Sequence, residues 1–119
     1  MNRLRIRHST GFHFGGDVAA SYNEARMLPV SSDGQLVITS SLDISPVNAH
    51  HHYVDYWGTR VASFEILTPH RELAITANSI VEVRPRPTIA DPIDWDALRA
   101  LVPRSTATVE LIPPTRLTR

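Results

Sequence analysis

Several stretches of this chain place apolar residues at every second position, the spacing of strands that rest one face on a core. Ile38, Ser40, Leu42 and Ile44 share one face, with Thr39, Ser41 and Asp43 opposed to them. Leu73, Ile75, Ala77, Val81 and Val83 repeat the pattern against Thr76, Asn78, Glu82 and Arg84. Less regular alternation runs from Leu4 to His8 and on through Phe12 and Phe14, from Val18 to Leu28, from Tyr53 to Tyr56, and from Val61 to Leu67. In the last of these, Ala62, Phe64 and Ile66 share a side.

Turn chemistry falls between these stretches: Gly15-Gly16-Asp17, Ser31-Ser32-Asp33-Gly34, Pro46 to Ala49, Trp57-Gly58-Thr59 and Thr68-Pro69-His70. Gly supplies the positive φ of tight reversals, and Pro and Asp favour the other turn positions. The gaps are too short for the crossovers that parallel strands need. The pattern therefore predicts a mainly β fold, an antiparallel β-sandwich of about six to seven strands over residues 1–84.

A different character begins at Arg84-Pro85-Arg86-Pro87, where two prolines in three residues cannot continue a central strand. Beyond them Asp91 is placed to cap a helix, Pro92 to open it, and Trp95, Leu98 and Leu101 recur at a spacing of three. The spacing predicts one short helix over about 92–101, stopped before Pro103. Residues 85–119 read as a Pro-rich linker that carries this helix.

Composition narrows the chemistry. At 119 residues the chain is the size of one domain. Twelve basic residues, all Arg, balance twelve acidic ones, so no nucleic acid or anionic membrane is expected as a partner. With no Cys there is no disulfide framework, thiolate metal site or thiol nucleophile. The charged, alternating N-terminus lacks the apolar stretch of a secretory signal, and no window has the roughly 18 apolar residues of a membrane span. A cytoplasmic location is the simplest expectation.

Candidate chemistry is thin. His50-His51-His52 is the most suggestive run, but neighbours on a strand point to opposite faces, so at most His50 and His52 can share an ion, against a polar loop entering a strand. Ser9, Ser21, Ser40 and Ser63 lie within predicted strands, and no G-x-S-x-G elbow occurs. Gly15-Gly16 is a lone pair without the Lys or helix of a phosphate loop. Tyr53-Val54-Asp55-Tyr56-Trp57-Gly58 is either a hairpin corner with Gly58 in the left-handed conformation or an aromatic edge for a partner. Glu24 and Arg26 share a face and can pair, at under about 1 kcal/mol on a surface. No catalytic, cofactor-binding or metal residue is assigned, and no cofactor is expected.

Taken in order, these segments resemble the N-terminal region of bacterial transglutaminase-like proteins. The resemblance is carried by His8-Ser9-Thr10-Gly11-Phe12-His13-Phe14, by Ser21 to Pro29, by Leu42-Asp43-Ile44-Ser45-Pro46, by Tyr53 to Val61 with Phe64, and by Pro69-His70-Arg71-Glu72-Leu73 running on to Val83. Phe12 and Phe14 stand where the family usually has tyrosines, and Thr59 where Asn often follows the glycine. The resemblance implies a β-sandwich-like domain ahead of a papain-like catalytic domain with Cys, His and Asp, none of which maps onto this chain.

The expected role is thus a non-catalytic accessory domain that packs against and supports the catalytic domain of the same polypeptide. Its parent would be a hydrolase-like thiol enzyme, whether amidase, protease or acyl transferase, with the nucleophile beyond Arg119. The rival readings are a self-contained interaction module using the Tyr53 to Trp57 edge, and a metal-binding protein using the His run. Self-association of the isolated domain is compatible with the first two.

Overall fold

The computed structural model describes residues 1–47, 49–87 and 92–118. It divides into two compact units, Met1–Arg86 and Pro87–Arg119. The first holds six strands: β1 (Asn2–Val18), β2 (Ser21–Ala25), β3 (Gln35–Ser45), β4 (His51–Val54), β5 (Arg60–Ile66) and β6 (His70–Val83). They form two antiparallel sheets of three, one ordered β1-β6-β3 and the other β2-β5-β4. The fold is mainly β with one short helix towards the C-terminus.

The alternation sorts the side chains as the sequence predicts. Leu42 and Ile44 of β3 meet Leu73, Ile75 and Ala77 of β6 in one buried cluster with Ala25, Ala62, Phe64 and Ile66 of the other sheet. Each of the large side chains contributes roughly 1.5 to 3 kcal/mol by leaving water. The strands of the first sheet are 17, 14 and 11 residues long, against 5, 7 and 4 in the second. The short sheet therefore covers only part of the long one.

Three details differ from the sequence reading. Gly15 and Gly16 do not reverse the chain; they lie within β1, where its register with β6 shifts between His13 and Val18, and the turn comes at residues 19–20. Ile38 leaves the face of Leu42 and Ile44 because the β3 register slips between Val37 and Thr39, and a bulge re-aims the extra residue. Strand β4 takes in His51 and His52 and stops before Asp55, since the Asp55 backbone is committed to the turn that follows. Asn48, in the predicted Pro46 to Ala49 turn, lies outside the described residues.

The Asp33-Gly34 turn is closed by Gln35 N–H to Ser32 O at 3.0 Å and by Ser32 N–H to Gln35 O at 2.9 Å. Gly34 has φ +84°, and a Cβ there would meet the Arg86 side chain at 2.9 Å. The strand ladder ends at Val83, as the two prolines require. Beyond it the Arg84 N–H donates to Gly34 O at 2.9 Å, and the Arg86 guanidinium donates to Asp33 O.

In the second unit the helix α1 runs Trp95–Leu101. Asp94 is its N-cap, accepting from the Ala97 N–H at 2.7 Å. Asp91, predicted as the cap, lies outside the described residues. The helix is shorter than predicted because Asp94, two residues after Pro92, offers a capping carboxylate. Two single turns of 3-10 helix follow, Val102–Arg104 and Val109–Leu111, in what reads from sequence as plain linker.

Candidate functional site

The functional groups of the sandwich gather on the outer face of the short sheet and on the hairpin between β4 and β5. The hairpin is organised by Asp55. Its carboxylate accepts from the N–H groups of Trp57 and Thr59, each at 2.9 Å. Its own N–H donates to Thr59 O and its carbonyl accepts from Gly58 N–H, both at 3.0 Å. Gly58 takes φ +78°, the left-handed position the corner reading assigns to it. The Thr59 N–H first, then that of Trp57 and the Arg26 guanidinium, hold the Asp55 carboxyl below its ordinary value.

At the tip, Tyr56 and Trp57 pack edge to face with ring centroids 4.9 Å apart, and they remain 78% and 50% exposed. They lean on each other at the hairpin tip, so the corner geometry and the aromatic edge exist together.

Behind the hairpin a polar cluster ties β2 to β4 across β5. The Tyr53 hydroxyl donates to Glu24 at 2.6 Å, Arg26 pairs with Glu24 at 3.0 Å, and Arg26 reaches Asp55 at 3.4 Å. The Glu24–Arg26 pair predicted from their shared face is present. The Tyr53 hydroxyl and then Arg26 lower the Glu24 carboxyl, and Glu24 in turn raises the Tyr53 phenol.

Next to this cluster lies an open concavity of about 580 Å³ whose lining includes Tyr22, Glu24, His50, His51, Ser63 and Glu65. Strand register sets Glu24, Ser63 and His51 side by side across the sheet. Among the described residues no hydrogen bond joins the Ser63 side chain to either neighbour.

The His run divides as strand alternation requires. The His50 and His52 rings meet edge to face at 4.6 Å, while His51 lies opposite Ser63. Desolvation first, then His50 and Arg60, hold the His52 imidazole below its ordinary value. The His50 Nδ1 is buried and has no hydrogen-bond partner among the described residues. No group of three or more His, Asp or Glu among those residues converges as metal ligands would.

Sequence reasoning missed one pairing. His70, predicted in a turn, is the first residue of β6 and only 7% exposed. Its Nδ1 lies 2.8 Å from the Thr68 carbonyl, which can only accept, so Nδ1 carries a proton, and Nε2 shares a hydrogen bond of 3.1 Å with the Ser21 hydroxyl. Asn23 donates to the same Ser21 oxygen at 3.2 Å, and Phe14 meets the His70 ring edge-on at 5.8 Å. A carbonyl thus occupies the place an acid would take in a Ser-His-Asp triad. The arrangement pins β2 of the short sheet to β6 of the long one. No local signal announces it, because the partners lie 49 residues apart.

Residues 4–82 match the family described as Bacterial transglutaminase-like N-terminal region, a span that takes in nearly all of the six-stranded unit. The chain belongs to this family. Among similar proteins, an uncharacterized protein of Mycobacterium leprae (strain TN) is 38% identical over 101 residues, which is 85% of this chain and 36% of that protein. Uncharacterized proteins of Mycobacterium bovis and of Mycobacterium tuberculosis (strain H37Rv) are each 33% identical over 123 residues, 95% of this chain and 39% of theirs. The transglutaminase-like N-terminal chain therefore spans a little over a third of the length of the curated relatives it matches. No solved structure matches it. Among the described residues no helix is long and apolar enough to cross a membrane.

Proposed function

We propose that this transglutaminase-like N-terminal chain is a non-catalytic accessory domain that packs against and supports a catalytic domain of the same polypeptide. The observation that carries the reading is the match of residues 4–82 to a family defined as an N-terminal region, in relatives of more than twice this length. The downstream domain would carry the Cys, His and Asp of a thiol enzyme acting as amidase, protease or acyl transferase in the cytoplasm. In this reading the sandwich supplies surface and rigidity, and the chemistry lies elsewhere.

The test is the parent protein with and without residues 1–84. Removal of the domain is expected to lower the thermal midpoint of the remainder and its activity on an activated amide, and Cys→Ala at the downstream nucleophile to abolish that activity. A remainder with unchanged midpoint and full activity, or a Cys→Ala variant that keeps its activity, overturns the reading.

A second reading is favoured by the exposed Tyr56–Trp57 pair, since Tyr and Trp are enriched where interfaces concentrate their energy. It makes the domain a self-contained interaction module. Light scattering separates the two: a complex or dimer of the 119-residue chain that Trp57→Ala dissolves supports the module.

A further inference from the structure

The long sheet ends on β1, and among the described residues no strand pairs with its outer edge. Register with β6 gives β1 two unlike faces. Arg3, Arg5 and Arg7 pair with Glu82, Ile80 and Asn78 on the outer face; Leu4 and Ile6 pair with Val81 and Ser79 on the inner one. Arg3 is neutralised by Glu82 at 3.1 Å. Arg5 and Arg7 have no acidic partner among the described residues. On the inner face Leu4 and Ile6 remain 48% and 44% exposed while their partners Val81 and Ser79 in the middle strand are buried, as befits an edge strand with no neighbour on its far side among the described residues.

A long open edge with apolar side chains is a template for another strand. Its charge pattern selects which one. A second copy of β1 would bring two sets of arginines onto one sheet face, and like charges side by side across a strand pair are destabilising. A strand with acidic residues opposite Arg5 and Arg7 and apolar residues beside Leu4 and Ile6 satisfies both faces. The register break at His13 confines such pairing to the first dozen residues.

We propose that the Asn2–Phe12 edge of β1 accepts, as a fourth strand, an extended segment of alternating acidic and apolar residues from the part of the parent polypeptide outside this domain. The source rests on the accessory-domain reading and on relatives whose length lies mostly outside the matched region. A tethered strand has a high effective concentration and keeps the edge covered.

The edge is tested on the 119-residue chain with a labelled, capped peptide of alternating glutamate and valine, followed by anisotropy. Binding is expected to weaken at least tenfold in the Arg5→Glu/Arg7→Glu variant, whose circular dichroism verifies folding. A lysine-for-glutamate peptide is expected to bind that variant in preference to the original chain. A block peptide of the same composition, without alternation, is expected to bind at least tenfold more weakly. Equal binding of the two glutamate peptides, or of the two proteins, overturns the proposal. The source is tested by hydrogen exchange at residues 2–12: the amides pointing away from β6 are expected to be at least tenfold better protected in the parent than in the 119-residue chain. Equal exchange overturns the tethered strand, whereas the accessory reading is decided separately by the activity and midpoint of the parent lacking residues 1–84.

Discussion

The middle strand of the long sheet and its β1 edge are built alike and end up differently. Around Leu73, Ile75 and Ala77 the inner face of β6 is roofed by Ala62, Phe64 and Ile66 of the short sheet. Around Leu4 and Ile6 the same alternation continues, and their β6 neighbours Val81 and Ser79 are buried, yet the two side chains on the edge strand stay half exposed. Alternation therefore fixes which way a side chain points. Its place in the sheet, in the middle strand or at the edge, fixes whether it is closed over on both sides.

That contrast is broken or sharpened most strongly by paired truncations. Ile66→Ala, at a fully buried position, is expected to cost about 2 to 5 kcal/mol in denaturant unfolding, and Ile6→Ala under about 1 kcal/mol. Equal costs would mean that the open edge is covered after all. Ser21→Ala tests the pin between the sheets: it leaves the buried His70 Nε2 without its partner and is expected to cost about 1 to 3 kcal/mol. A cost near zero would leave apolar packing as all that joins the sheets. Gly58→Ala probes the hairpin, where no neighbouring atom obstructs a Cβ, so only the positive φ opposes it, at about 1 kcal/mol. A neutral result would show the corner relaxing at no cost.

The smallest effect expected is the pH response of the exposed cluster on the short sheet. The Glu24 and Asp55 carboxyls are lowered in the fold, so their contribution is complete above their ordinary values of 4.5 and 3.8 and is lost as pH falls through the lowered ones. His52 is lowered likewise, which adds a loss as pH falls below about 6.5. Tyr53 is raised, so its contribution is present below pH 10 and disappears as pH rises through the raised value. Thermal midpoints at pH 3, 7 and 11 for the chain and for Glu24→Gln check both limbs. Glu24→Gln is expected to flatten each slightly, since solvent screens exposed groups. Identical profiles would show the cluster to be without effect on stability.

Much of the fold was legible because both of its signals are local. Period-two alternation marked six strands, and Gly34, Gly58 and the two prolines after Val83 marked turns and an end. What misled was also local: Gly15-Gly16 has the composition of a reversal but sits in a register shift, and Ile38 fits its face until a bulge removes it. Asp91 was read as the cap, whereas the capping bond is made by Asp94, three residues on. The Glu24–Arg26 pair could be read from spacing, but its links to Tyr53 and Asp55 depend on which strand lies next to which. The Ser21–His70 bond and the open β1 edge are long-range properties, set by sheet order, on which spacing is silent.

The grip of Arg84 and Arg86 on the Asp33-Gly34 turn has a mechanical side. Tension on the polypeptide beyond Pro87 would load the Arg86 contact to Asp33 O and the Arg84 bond to Gly34 O before reaching Val83. Behind that latch β6 is the middle strand of its sheet, bonded along both flanks, so the pull would have to shear two ladders instead of unzipping one. The chain leaves the sandwich at its best-anchored strand, a point from which force can be passed on without opening the fold.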